Sequence, residues 1–222
     1  MGADNLFHKN RAKKIEQLAR QKDKRQPYAR VLIVCGGETE RNYFQKLKKH
    51  LGLGPSVVIE SRGVDPLSLV RYAIEKYEHS ESLGDTFDKV FCVFDQDDFG
   101  NNYKEACQKI TSKKYKGVFS SIASVPCFEY WVLLHFDGST APFFPKGKKS
   151  VADTVKEKLK LKRNMPNYNK TDISLFDQLL SRLSTAKKNA ANALKEAGKN
   201  KTDNPSTHVH ELVEYLENLK AR

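Results

Sequence analysis

The chain has no apolar run of about 18 residues, the length a helix needs to cross a bilayer, and its first residues are polar and basic where a secretory signal needs an apolar stretch. These absences point to a cytoplasmic protein that does not act on membranes. Cysteine is scarce as well. Cys35, Cys92, Cys107 and Cys127 lie far apart with no C-x-x-C pair, which argues against a zinc ribbon or a dithiol redox centre. Three of the four fall in apolar runs and read as small buried hydrophobes. There is no internal repeat and no low-complexity tract.

What is present in excess is positive charge. Against 27 acidic residues stand 39 lysines and arginines, a formal net charge of +12 over 222 residues. Such a surplus favours polyanionic partners, nucleic acid above all. The length suits one domain with a sizeable core, or one core with an appendage. Residues 1–27 hold eight basic and three acidic side chains and few apolar ones, which reads as a basic N-terminal arm.

From residue 28 the pattern is one of strands alternating with helices. Val31 to Cys35 is an ungapped, β-branched-rich run, too short for a helix and suited to a strand buried on both faces. After Gly36-Gly37, the spacing of Tyr43, Phe44, Leu47 and Leu51 predicts a helix with Thr39 as N-cap and Gly52 as its stop. Val57-Val58-Ile59 predicts a second strand. Asp65-Pro66, a capping residue before proline, opens a second helix marked by Leu69, Ala73, Ile74 and Tyr77. Lys89 to Phe94 predicts a third strand, 101–113 a helix, and Gly117 to Ile122 a fourth strand. Beyond residue 125 the pattern is helical: Phe128 to Phe136, then 150–162, 172–197 and 206–220. The expectation is an α/β fold: a largely parallel four-stranded sheet flanked by helices over residues 28–138, and a basic helical C-terminal part over 139–222 packed on it.

In an open parallel sheet ligands bind at the carboxyl ends of the strands. Here the residues that follow the strands are acidic: Glu38 and Glu40 after the first, Asp95, Asp97 and Asp98 after the third. Several carboxylates converging on one volume need a counter-charge. Magnesium or manganese supplies it, since hard cations take carboxylate oxygens and stabilise the charge that develops in phosphoryl transfer. Each acid also has a plainer reading, Asp95-x-Asp97 as a turn or cap and Glu38 or Glu40 as first-turn acids facing a helix dipole. Their pairing across two strand ends favours the metal. Glu129, alone among apolar residues from Phe128 to Phe136, reads as a further metal ligand or as the partner of His135 or a basic residue, because burying it alone is costly. His208 and His210 suit capping or packing.

Between residues 146 and 170 nine basic residues stand against Asp153 and Glu157. Lys146, Lys148, Lys149, Lys160, Lys162 and Arg163, with Tyr168 as a ring for stacking and Lys187 and Lys188 beyond, form a candidate nucleic-acid surface. The alternative is a solvated helix face.

Four segments carry a family resemblance. Val34-Cys35-Gly36-Gly37-Glu38-Thr39-Glu40-Arg41-Asn42-Tyr43-Phe44 resembles the opening motif of the RloB family. Val93-Phe94-Asp95-Gln96-Asp97-Asp98, Pro126-Cys127-Phe128-Glu129-Tyr130-Trp131-Val132-Leu133-Leu134-His135-Phe136 and Asn204-Pro205-Ser206-Thr207-His208-Val209-His210-Glu211-Leu212-Val213 follow in family order. The resemblance implies a Toprim-like core, the metal-binding fold shared by topoisomerases, primases and nucleases of the overcoming-lysogenization-defect type. It further implies a magnesium-dependent nuclease acting on RNA, transfer RNA included, or DNA, in bacterial anti-phage defence by abortive infection, with an ABC-type ATPase encoded nearby as partner. A homo-oligomer is compatible with it.

Toprim nucleases place a glutamate after the first strand and D-x-D after the third. Asp95 and Asp97 match the second motif, whereas Gly36 stands where the first glutamate is usual. Either Glu38 or Glu40 takes its place, or one metal is lost. A disabled, purely binding or phage-sensing module is the alternative from another class. A phosphatase of the haloacid-dehalogenase kind also uses Asp-x-Asp after a strand, but on its first strand and with Asp95 as nucleophile.

Overall fold

The computed structural model describes residues 29–220 apart from 97–99, 163–164, 167 and 171. The N-terminal arm, Asp97, Asp98 and Arg163 therefore lie outside the described residues. Strands β1 (Val31–Cys35), β2 (Val57–Ser61), β3 (Lys89–Asp95), β4 (Phe119–Val125) and β5 (Ser206–Thr207) form one sheet in the order β2-β1-β3-β4-β5. The first four are parallel and β5 runs antiparallel to β4. The helices are α1 (Glu38–Leu51), α2 (Pro66–Ser82), α3 (Gly100–Thr111), α4 (Phe128–Leu133), α5 (Val151–Lys160), α6 (Leu175–Leu179), α7 (Leu183–Lys199) and α8 (Val209–Lys220), with a 3-10 turn over Leu180–Arg182.

All five β1 residues are buried, so the strand is covered on both faces, as its unbroken apolar run requires. The pleat sends alternate residues to opposite sides. Val31, Ile33 and Cys35 join the larger core with α1 and the C-terminal helices, while Leu32 and Val34 join a smaller core under α2 and α3. The larger core is aromatic. Tyr43 meets Phe44, Phe128, Trp131 and Phe176 edge-on at centroid distances of 5.2 to 6.3 Å, a geometry that adds specificity to the burial.

Helix α1 begins one residue before the expected Thr39 cap. Extended Gly37 is its N-cap, and left-handed Gly52 (φ 68°) closes it with an N–H bonded to the carbonyls of Lys48 and Lys49. Glu38 and Glu40 occupy the first turn and Lys48, Lys49 and His50 the last, each sign at the end of the helix dipole that favours it. The Thr39 hydroxyl is released from capping and donates instead to the Lys170 carbonyl at 2.8 Å. Asp65 caps α2 as expected, accepting from the N–H groups of Leu67 and Ser68.

Two helical expectations are corrected. The stretch 172–197 is broken: α6 turns to set Phe176 against Tyr43 and Asp177 2.9 Å from Lys46 on α1, and α7 begins only at Leu183. The stretch 206–220 starts as strand β5, where Thr207 pairs with Ser124 and Ser206 with Val125. Two polar residues carry no periodicity by which a sequence could announce a strand. No helix among the described residues is long and apolar enough to cross a membrane.

Candidate active site at the ends of the first and third strands

Between β1 and β3 the chain changes direction across the sheet, since β2 lies to one side of β1 and β3 to the other. That is the switch point at which parallel sheets open a crevice. The crevice has a volume of about 460 Å³ and is lined by Gly36 to Glu40, Gly63 to Pro66, Phe94, Asp95 and Lys170. Carboxylates of Glu38, Glu40, Asp65 and Asp95 thus share one opening, with Lys170 as its one lining cation among the described residues.

The four acids differ in what holds them. Glu38 is exposed and pairs with Arg41 at 2.7 Å, and this contact lowers its pKa. Asp65 is engaged in capping α2 and also accepts from the Asn102 amide at 3.1 Å. Hydrogen bonds from Ser68, Leu67 and Asn102 outweigh burial and hold its carboxyl below the usual range. Glu40 is buried, the third residue of α1, and its carboxylate turns back over Gly37. Asp95 closes β3 beside Ser124 of β4 and is half-buried. Glu40 and Asp95, from adjacent strand ends, therefore face the same space.

Gly36 sits against the neighbouring strand, its N–H donating to the Val93 carbonyl at 2.8 Å. A Cβ there would lie 3.5 Å from that oxygen and 3.7 Å from Leu69, ordinary contact distances. Glycine at this position is therefore not a steric necessity. Cys35, just before it, is no nucleophile: burial first, then the charges of Glu40 and Glu38, push its thiol well up.

Lys170 and Glu129 went unrecognised as a unit in the sequence. Glu129 is 1% exposed on α4 and does not line the crevice. The Lys170 ammonium lies 3.1 Å from its Oε1, so of the two roles expected of Glu129, partner of a basic residue is the one its position supports. His135 is engaged elsewhere, its Nδ1 3.0 Å from the Trp131 carbonyl. Desolvation alone would lower the pKa of Lys170, but Glu129 and, next among the charges, Asp95 reverse this and raise it. The group stays charged.

The donor set facing the crevice is carboxylate oxygen, the chemistry that hard divalent cations prefer. Among the described residues no group of three His, Cys, Asp or Glu side chains is gathered tightly enough to hold a metal ion. Glu40 and Asp95 make two, and Asp97 and Asp98 lie outside the described residues.

The basic residues separate into open and committed groups. Lys146, Lys148, Lys160 and Lys188 are exposed, the first two in the turn closed by the bridge between Lys146 and Lys149. Lys149 is paired with Glu157, Lys162 with Asp137 at 2.8 Å and Lys187 with Glu217 at 2.6 Å. Tyr168 belongs to the larger core and is buried, which leaves its ring no open face for stacking.

A mostly parallel α/β sheet with carboxylates and a lysine at its switch point defines the class to which this chain conforms. Within it, the model of the RloB-like protein family matches residues 31–216, and the chain belongs to that family. No curated protein and no solved structure matches it.

Proposed function

We propose that the chain is a Toprim-like, metal-dependent nuclease that cleaves RNA, such as transfer RNA, or DNA in bacterial anti-phage defence. The observation that carries this reading is the presence of Glu40, in the first turn of α1 after β1, and Asp95, at the end of the adjacent β3, on the walls of one open crevice in a protein of net charge +12. Membership of the RloB-like family supports the defence setting, and an ABC-type ATPase is part of the proposal as the partner. Glu40, Asp95 and Asp97, with Glu38 and Asp98 as further candidates, would hold Mg2+ or Mn2+, which supplies a Lewis acid for a phosphate oxygen and an activated water. The chain's own part is to fix the Glu40 carboxylate in the first turn of α1 and that of Asp95 at the end of β3, and to hold the polyanion against the field of the acids. The exposed Lys146, Lys148, Lys160 and Lys188 serve that second purpose by neutralising phosphates outside the crevice.

A second reading, a non-catalytic nucleic-acid-binding or phage-sensing module, draws support from Gly36, where Toprim nucleases carry glutamate. One experiment separates the two. Purified protein, with and without the ATPase, is incubated with labelled transfer RNA and with DNA in Mg2+, Mn2+ or chelator, beside Asp95→Asn. Cleavage that needs metal and disappears in the variant supports the nuclease. Binding without cleavage in every condition supports the module and ends the nuclease reading.

A further inference from the structure

The crevice gathers four carboxylates, yet its function requires that it admit an anion. One lining residue is suited to receive it. Lys170 is anchored at both ends: its carbonyl accepts from Thr39, one residue before Glu40, and its ammonium is held 3.1 Å from Glu129. The Glu129 side chain is 2% exposed, and its burial is compensated by the Lys170 ammonium, with the buried Tyr168 hydroxyl also beside it. Lys170 is drawn to a carboxylate behind the wall, lines the crevice and keeps about half of its side chain (53%) exposed. An ammonium carries three donors and one approaches Glu129, so others remain for a ligand.

On the nuclease reading, on which this step rests, we infer that Lys170 contacts a phosphate oxygen of the substrate in the crevice and that Glu129 is the positioning residue that holds it there. The pair divides the work: Glu129 sets where the charge stands, and Lys170 offsets the repulsion between phosphate and the carboxylates beside it. A lysine kept protonated acts through charge and donation rather than as a base, which agrees with the raised pKa that Glu129 confers.

The test uses the full chain and the 5′-phosphorylated dinucleotide pdTdT as probe, in Mn2+, by calorimetry. Lys170→Ala is expected to weaken pdTdT binding by about tenfold or more, with Lys170→Arg between it and wild type. Mn2+ measured alone should bind Lys170→Ala as tightly as wild type or more tightly, because a competing cation is gone. Glu129→Gln, nearly isosteric, should weaken pdTdT by about fivefold and lower the Lys170 pKa followed through its ε-carbon by NMR, since desolvation is then unopposed. A role limited to pinning the chain would act through Thr39 on the neighbouring Glu40 and weaken Mn2+ binding together with pdTdT, rather than pdTdT alone. Equal pdTdT affinity in wild type and Lys170→Ala overturns the inference, and so does a Lys170 pKa unmoved in Glu129→Gln. A wild-type chain that never cleaves but binds pdTdT through Lys170 sinks the nuclease and leaves the pair standing. Cleavage that Lys170→Ala leaves untouched does the reverse.

Discussion

The carboxylate of Glu40 lies over Gly37, its Oε2 2.5 Å from the point where a Cβ at position 37 would stand. Glycine is therefore what lets this acid rest at the N-terminus of α1 beside the end of β1. At Gly36, one residue earlier, nothing comes closer to such a Cβ than 3.5 Å. Adjacent glycines in one turn thus have opposite tolerances.

Gly37→Ala is expected to fold with a melting temperature close to wild type, because the displaced atom is the tip of a flexible side chain, but to move the Glu40 carboxylate. Metal-dependent cleavage should fall about tenfold or more, whereas Gly36→Ala should leave it within about twofold. Thermal melts and cleavage rates on both variants check this. Equal activity in the pair would show that the Glu40 position is immaterial.

Among the basic residues, Lys146→Ala, Lys148→Ala and Lys160→Ala should each weaken nucleic-acid binding and reduce its salt slope by about one. Lys187→Ala should change neither, since that ammonium is already held 2.6 Å from Glu217. Binding isotherms over a range of salt concentrations give both quantities, and a Lys187 effect as large as the others would contradict the division.

Acid should destabilise the fold through His135. Burial lowers its pKa from 6.5 to about 4, against weaker raising contacts from the Trp131 and Val132 backbone. The unfolded chain then binds a proton at higher pH than the folded one, so stability is intact above pH 6.5 and is lost as pH falls toward 4. The full loss is about 3 kcal/mol. His210 is shifted in the same direction, chiefly by burial. Melts between pH 7 and 4 should show the decline, and His135→Phe should flatten it.

Ser124 and Thr207 share a hydrogen bond of 2.9 Å at the junction of β4 and β5, and both are buried. Thr207→Val leaves the serine hydroxyl without that partner and should cost about 1–3 kcal/mol. Ser124→Ala in the same chain should recover part of the loss, though not all, because Thr207 Oγ1 also accepts from the Val209 N–H. Denaturant unfolding of the single and double variants measures the coupling.

The order of elements was legible in the residues because it depends on neighbours. The apolar run of β1, the Asp65-Pro66 cap and the left-handed Gly52 act within a turn or a strand, and the acids of the candidate site follow their strands directly. Thr39 misled for the same reason: a good capping residue was available, but its hydroxyl was claimed by a carbonyl 131 residues away. Tyr168 looked like an open ring because its charged neighbours are exposed, while the ring itself packs into the core.

By itself, the sequence determined that strands and helices alternate, that carboxylates stand at two strand ends and that the surface is strongly basic, since periodicity, capping and composition are local properties. Only the tertiary structure decided that β5 pairs with β4, that Glu40 and Asp95 open on one crevice, that Lys170 at its wall meets the buried Glu129 and that Lys187 is spent on Glu217. Those are contacts between distant parts of the chain. They follow from how helices pack on the sheet, and no window of neighbouring residues encodes them.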